Sequence, residues 1–163
     1  MKMALTIALL MLAAGCATPS GNGATPRSAE TIRYETAPCF GACPVYAVTL
    51  SPDGTARFEG KRFTVATGEH AFTVTPDQLA DFRRRLAPYR PAGGERRIAP
   101  GEADCGPAMT DQPSVSVSWQ GGGAPPVSLS LYYGCAAPAL KAMKAALRAA
   151  PDALPIAMMI GRR

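Results

Sequence analysis

The sequence predicts an α+β domain in which two helices pack on one face of an antiparallel sheet of about six strands. Six segments alternate apolar and polar residues, which is the pattern of half-buried strands. Two further segments carry apolar residues at helical spacing. Their order along the chain is ββββαββα, and a length of 163 residues suits one such domain.

The first four strands follow one another closely. Ile32 and Tyr34 alternate with charged residues in the first strand. A second alternating run leads into the dipeptide Asp53-Gly54, which favours a hairpin turn. Apolar alternation resumes around Phe58, and Gly68 then changes its parity, which indicates a turn or bulge before the fourth strand.

Two helices and a hairpin complete the pattern. The sequence Thr75-Pro76-Asp77-Gln78 is a capping box with proline at the first helical position, and the helix that it opens should end at Pro88. The cleanest hairpin follows later, with Gly121-Gly122-Gly123 at its turn. A last helix is expected to begin near Pro138.

A stretch from Pro88 to Pro113 has little periodicity and separates the first helix from the last hairpin. Loops of this length are usually functional, disordered or cross-linked. We therefore take its charged residues as a candidate binding loop, with Trp119 as an aromatic neighbour. The alternative is an insertion without function. The candidate residues are Arg96, Arg97, Glu102, Asp104 and Asp111.

The N-terminus predicts export and lipid attachment. Lys2 precedes the uncharged run 3–12, which is too short to span a bilayer and fits a signal peptide. The following Ala13-Ala14-Gly15-Cys16 resembles the lipobox of bacterial lipoproteins. That resemblance implies cleavage before Cys16 and acylation of this cysteine with chains such as palmitate, and Ala17 then implies the outer membrane, facing the periplasm.

These features divide the chain into four parts. Residues 1–15 are the predicted lipoprotein signal peptide, and residues 16–29, rich in small and polar residues, are a flexible tether. Residues 30–150 form the predicted domain, and residues 151–163 a C-terminal tail. The net charge of +5 comes without a zinc finger or an RNA-binding motif, so we expect no nucleic-acid partner.

Four cysteines remain beside Cys16, and an even number in an exported chain indicates disulfides. Of the three pairings, we favour Cys39–Cys43 with Cys105–Cys135. The second pair would hold the long loop against the last hairpin. A structural zinc site is the alternative, but paired C-x2-4-C spacing is absent.

A redox or copper site is a second alternative for Cys39 and Cys43. The segment 39–44 resembles the CxxxCP loop of Sco-type copper chaperones, in which a helix follows the loop and a distant histidine completes the site. Here a strand is expected after Pro44, and His70 is the single histidine. We therefore expect no metal or cofactor.

Several short segments resemble one family. They are Tyr34-Glu35-Thr36, Cys39-Phe40-Gly41-Ala42-Cys43-Pro44-Val45-Tyr46, Asp53-Gly54-Thr55 and Thr110-Asp111-Gln112-Pro113. Together they resemble domain of unknown function 6438 over about residues 30 to 150. This resemblance implies a cell-envelope setting and no particular activity.

No catalytic constellation stands out, so we favour a function without enzymatic activity. There is no GxSxG elbow, and His70 reads as a polar turn residue. The arginines at 83–85, 90, 96 and 97 could bind lipid headgroups or glycan phosphates, or could form an ordinary solvated face. The leading hypothesis is a lipid-anchored, non-enzymatic binding or structural module with a protein, glycan or lipid partner.

Overall fold

Seven strands form a single sheet in the computed structural model, which describes residues 29–161. In spatial order the strands are β4-β3-β2-β1-β6-β7-β5. The α+β class is therefore confirmed. The predicted signal peptide, Cys16 and the tether up to residue 28 lie outside the described residues. The strands are β1 (Glu30–Thr36), β2 (Val45–Leu50), β3 (Thr55–Arg62), β4 (Gly68–Thr73), β5 (Glu95–Ile98), β6 (Ser114–Gly121) and β7 (Ala124–Tyr132).

Three helices accompany the sheet among the described residues. They are α1 (Pro76–Leu86), α2 (Lys141–Ala149) and the single turn α3 (Ala157–Ile160). The predicted capping box opens α1, since Thr75 accepts a hydrogen bond from the Gln78 amide and Gln78 accepts one from the Thr75 amide. None of the helices in residues 29–161 has the length and apolar character needed to span a membrane.

Strand β5 corrects the expected six-stranded antiparallel sheet. It lies within the predicted long loop and pairs in parallel with β7, with Ile98 opposite Leu131. Among its four residues only Ile98 is buried. A strand with one buried side chain leaves no alternation for a sequence pattern to reveal.

The two longer helices cover one face of the sheet, as expected. On that face Tyr34 stands opposite Val48 of β2 and Val117 of β6. The Tyr34 ring meets the ring of Phe82 in α1 edge to face, and its hydroxyl donates a hydrogen bond to the Leu147 carbonyl of α2 at 2.9 Å. Apolar burial beneath both helices therefore forms the core.

The packed domain extends beyond residue 150, where its end was predicted. Leu154, Ile156 and Ile160 are buried in the same core as the sheet. The amide of Ala66, in the β3–β4 loop, donates to the Met159 carbonyl at 2.9 Å. The expected C-terminal tail is thus part of the domain through Gly161. Its apolar residues lack a sustained helical or alternating period, so no local pattern predicts their burial.

Candidate binding pocket beneath the disulfide loop

A cavity of about 280 Å³ lies at the end of the sheet where β1 ends and where β2 and β6 begin. One wall comes from the β1–β2 loop, another from the segment before β6, and a third from Tyr133, just after β7, with α2 and α3. The lining residues are Tyr34, Thr36, Cys43, Pro44, Tyr46, Pro113, Ser114, Tyr133, Arg148 and Ile160.

The β1–β2 loop is held by Thr36 and by a disulfide. The Thr36 hydroxyl donates to the Pro44 carbonyl at 2.9 Å and accepts from the Tyr46 amide at 3.0 Å. The Cys39–Cys43 disulfide cross-links the loop, with a Cα–Cα distance of 5.8 Å between the two cysteines. The loop therefore forms a small, cross-linked wall for the cavity.

The second wall is fixed by Tyr132. Its hydroxyl donates to the Met109 carbonyl at 2.9 Å and accepts from the Gln112 amide at 3.1 Å. Asp111, whose φ of +66° lies in the left-handed region, turns the chain between them. The Asp111 carbonyl accepts from the Phe40 amide at 3.2 Å, which ties this segment to the disulfide loop.

The second disulfide joins Cys105 to Cys135 and is buried. The Ala108 backbone forms an isolated antiparallel bridge with Cys135. These contacts hold the segment before β6 against the end of β7. Both pairs are the ones that the sequence favours, and both lie at the pocket end of the sheet.

Arg148 and Tyr133 supply the cavity's polar character. The Arg148 guanidinium carbon lies 3.9 Å from the centroid of the Tyr133 ring, within cation–π range. Tyr133 is only 6% exposed, and its hydroxyl has no hydrogen-bond partner of good geometry among the described residues. Burial raises the pKa of Tyr133 to about 12, against the lowering effects of the Arg148 charge and of a contact with the Tyr34 hydroxyl.

The side chains that line this cavity suit the binding of a ligand. Three tyrosine rings, two prolines and Ile160 provide apolar surface, and one guanidinium provides positive charge. Cys39 and Cys43 are oxidised to a disulfide, so neither offers a thiolate nucleophile. Across residues 29–161, no three His, Cys, Asp or Glu side chains come together in a way that could hold a metal ion.

The predicted binding-loop residues do not converge on one site. Arg96 pairs with Asp104 at 2.9 Å, on the surface. Arg97 stands opposite Ser130 on the face of the sheet that the helices leave uncovered. Glu102 is exposed, and only Asp111 touches the pocket's wall, through its backbone.

Trp119 belongs to the hydrophobic core. It lies on the inner face of β6, where it is buried opposite Ile32 and Val127. Alternation in β6 sends this side chain into the core. His70, in the edge strand β4, is exposed and has a ring nitrogen 3.0 Å from the Thr67 carbonyl.

The arginines of α1 and the segment after it are engaged within the protein. Arg84 and Arg85 both pair with Asp81, and Arg83 donates to the Glu30 carbonyl at 3.1 Å. Arg90 pairs with the buried Glu30 carboxylate. Their contacts stabilise the fold, which leaves less support for a headgroup-binding face here.

Arg148 and Ile160 are the pocket residues without a sequence signal. Arg148 reads as an outward-facing charge of the last helix, and Ile160 lies in the predicted tail. Tyr34, Tyr46 and Pro113, by contrast, belong to the segments that carry the family resemblance.

Comparison with known protein families agrees with the family resemblance seen in the sequence. The family model that matches is described as "Domain of unknown function (DUF6438)", and it covers residues 30–151. This range includes every strand and all the pocket residues except Ile160. No curated protein matches the chain.

Proposed function

The chain belongs to the DUF6438 family, and from its pocket we propose that it is a non-enzymatic binding module. Its ligand is a small molecule, or the end of a larger one, with an apolar body and a carboxylate or similar anionic group. The cavity volume of about 280 Å³ sits near the lower limit of the range for small-molecule sites.

The observation that carries this proposal is the stacking of Arg148 on Tyr133 within an aromatic cavity. A guanidinium binds carboxylates through two parallel hydrogen bonds, and stacking on a ring restricts its orientation beforehand. Less side-chain freedom is then lost when an anion binds. The apolar rings beside it would cover the body of the ligand.

The Tyr133 hydroxyl adds support. This hydroxyl is buried and contacts the Tyr34 hydroxyl. With its pKa raised to about 12, Tyr133 is protonated at neutral pH and can act as a donor. A bound acceptor that reaches the hydroxyl would offer it a further partner beside the Tyr34 hydroxyl.

We also propose that the module is lipid-anchored at the outer membrane and faces the periplasm. The lipobox-like segment ending in Cys16, the tether 16–29 and the two disulfides support this setting. A Cys16→Ser change should leave uncut precursor or release soluble protein. Membrane retention of a normally processed Cys16→Ser protein would contradict the anchor.

A redox or metal role for Cys39 and Cys43 has less support. Both are disulfide-bonded, and no metal-binding cluster includes them among the described residues. Titration of the purified protein with a thiol reagent separates the two functions. Reactive thiols or a bound metal would favour the redox or metal role.

A matched pair of probes tests the binding function. Benzoate and benzamide have nearly the same shape, but only benzoate is charged. Calorimetric titration of the chain from residue 16, carrying Cys16→Ser, should show that benzoate binds more tightly. Arg148→Gln should weaken benzoate binding by at least about tenfold, since a charge-assisted bond contributes roughly 1.5–3 kcal/mol.

The control is Arg97→Gln, which removes an exposed arginine away from the pocket. It should leave benzoate affinity unchanged. Equal affinity for the two probes, or equal weakening by the two substitutions, would contradict an anion-selective pocket.

A further inference from the structure

The β3–β4 loop and α3, which contact each other beside the pocket, both carry exposed apolar side chains. Phe63 is 52% exposed, Val65 74% and Met158 86%. We call these three residues, with the neighbouring Arg62, the apolar–basic patch. It shares the pocket end of the sheet, because α3 also supplies Ile160 to the pocket.

The loop that carries the patch is held in place. The Ala66 amide donates to the Met159 carbonyl at 2.9 Å, and the Thr64 hydroxyl donates to the Ala66 carbonyl at 2.8 Å. The loop also lies close to Gly60, where an added Cβ would stand 1.9 Å from the Ala66 oxygen. The exposed side chains are therefore presented by a fixed backbone.

Phe63 is held in an unusual backbone conformation. Its φ of +55° lies in the left-handed region, which bulky side chains rarely adopt. Strain of this kind persists only where the surrounding structure enforces it, and it concentrates at functional sites. Here it accompanies a half-exposed aromatic ring, with the Arg62 guanidinium 5.1 Å from the ring centroid.

Arg62 gives the patch a positive charge. None of the ion pairs within residues 29–161 includes Arg62, which is exposed. Apolar side chains flanked by arginine are the composition that enters the headgroup layer of an anionic bilayer.

We infer that the apolar–basic patch docks on the surface of an anionic lipid bilayer. Three apolar side chains are few for a stable protein interface, which buries about 800 Å² on each partner. They are enough for shallow insertion into lipid, where each buried CH2 group contributes to partitioning. The patch's positive charge complements anionic headgroups.

The proposed tether allows this contact with the membrane that carries the anchor. It joins β1 at Glu30, at the end of the sheet opposite the patch. Its 14 or so residues can extend about 46–50 Å, whereas an eight-residue strand spans about 27 Å. This step rests on the proposed lipid anchor, whereas lipid binding by the patch does not.

Vesicle flotation of the unacylated chain from residue 16, carrying Cys16→Ser, tests the inference. The chain should float with vesicles of phosphatidylethanolamine and phosphatidylglycerol at low salt, and much less with phosphatidylcholine vesicles or at high salt. Changing Phe63→Asn, Val65→Ser and Met158→Ser together should weaken partitioning by at least about tenfold. Asparagine is chosen because it tolerates positive φ.

The matched control changes Phe40→Ser and Met109→Ser, which are exposed apolar residues outside the patch. It should retain flotation. The inference is overturned if the unchanged chain does not float, or if the control loses as much binding as the triple variant.

Benzoate titration of the same variants separates this inference from the proposed function. The triple variant should bind benzoate as the unchanged chain does, since none of its three positions lines the pocket. A chain that binds benzoate but not vesicles would overturn the patch and leave the pocket standing. A chain that binds vesicles but not benzoate would overturn the pocket and leave the patch standing.

Discussion

The Glu30 carboxylate and the Arg90 guanidinium form a buried ion pair at the start of β1, with side chains only 4% and 13% exposed. The Glu30 carbonyl also accepts a hydrogen bond from Arg83 at 3.1 Å. Burial lowers the pKa of Arg83, partly offset by the charge of Glu30. This cluster fixes the first residue of the sheet against the segment that follows α1.

Removing one partner of this pair should be costly. Glu30→Gln leaves the Arg90 charge buried without its counter-ion, and we expect a loss of about 3–5 kcal/mol in the free energy of unfolding. Glu69→Gln is the control, because its pair with Arg57 is more than half exposed; the loss there should stay below about 1 kcal/mol. Urea unfolding measures both, and similar losses would contradict a special role for the buried pair.

The two disulfides should contribute differently to stability and to benzoate binding. Cys105→Ser with Cys135→Ser removes a long cross-link, which stabilises by about 4 kcal/mol on the chain-entropy model. Cys39→Ser with Cys43→Ser removes a short one, expected to contribute about 2 kcal/mol. The second variant should nevertheless lose more benzoate affinity, because Cys43 lines the pocket.

Urea unfolding and benzoate titration of both double variants measure these two effects. A long-loop variant that loses more benzoate affinity than the short-loop variant would reverse the roles assigned to the two cross-links.

Stability should fall at alkaline pH because of Tyr133. Its pKa is about 12 in the folded protein and about 10 when unfolded, so the folded state holds the proton more tightly. The resulting stabilisation is fully present below about pH 10 and is lost as the pH rises towards 12. Two pKa units correspond to roughly 2–3 kcal/mol.

Tyr133→Phe should make the unfolding free energy less dependent on pH over that window, as measured by urea unfolding at a series of pH values. An unchanged pH dependence in the variant would show that other groups cause the alkaline loss.

Gly60 should control the geometry of the β3–β4 loop. Gly60→Ala places a methyl group against the Ala66 carbonyl and should cost about 1–3 kcal/mol through overpacking. Gly93→Ala is the control, since an added Cβ there meets open space. Thermal unfolding compares the two, and an undisturbed Gly60→Ala protein would contradict the close approach of this loop.

Most of the fold follows from local patterns. Alternation such as Val115-Ser116-Val117-Ser118-Trp119 identifies strands whose one face is buried, and the capping box identifies the start of α1. Strand β5 has a single buried residue, Ile98, so its identity depends on pairing with β7. The burial of Leu154 likewise depends on tertiary packing.

The sequence predicts only part of the pocket. Tyr34 and Tyr46 lie on the inner faces of β1 and β2, and the cysteine spacing predicts the loop beside them. The position of Arg148 over Tyr133 depends on how α2 crosses the end of β7. No pattern local to α2 contains that information.

The most direct test of the binding function locates a bound probe. Amide resonances of the chain from residue 16, carrying Cys16→Ser, can be followed by NMR as benzoate is added. The proposed pocket predicts saturable shifts concentrated at Thr36, Tyr46, Tyr133 and Ile160, and their loss in Arg148→Gln. Shifts centred instead on the predicted binding loop around Arg96 and Asp104, or persisting in Arg148→Gln, would contradict the pocket.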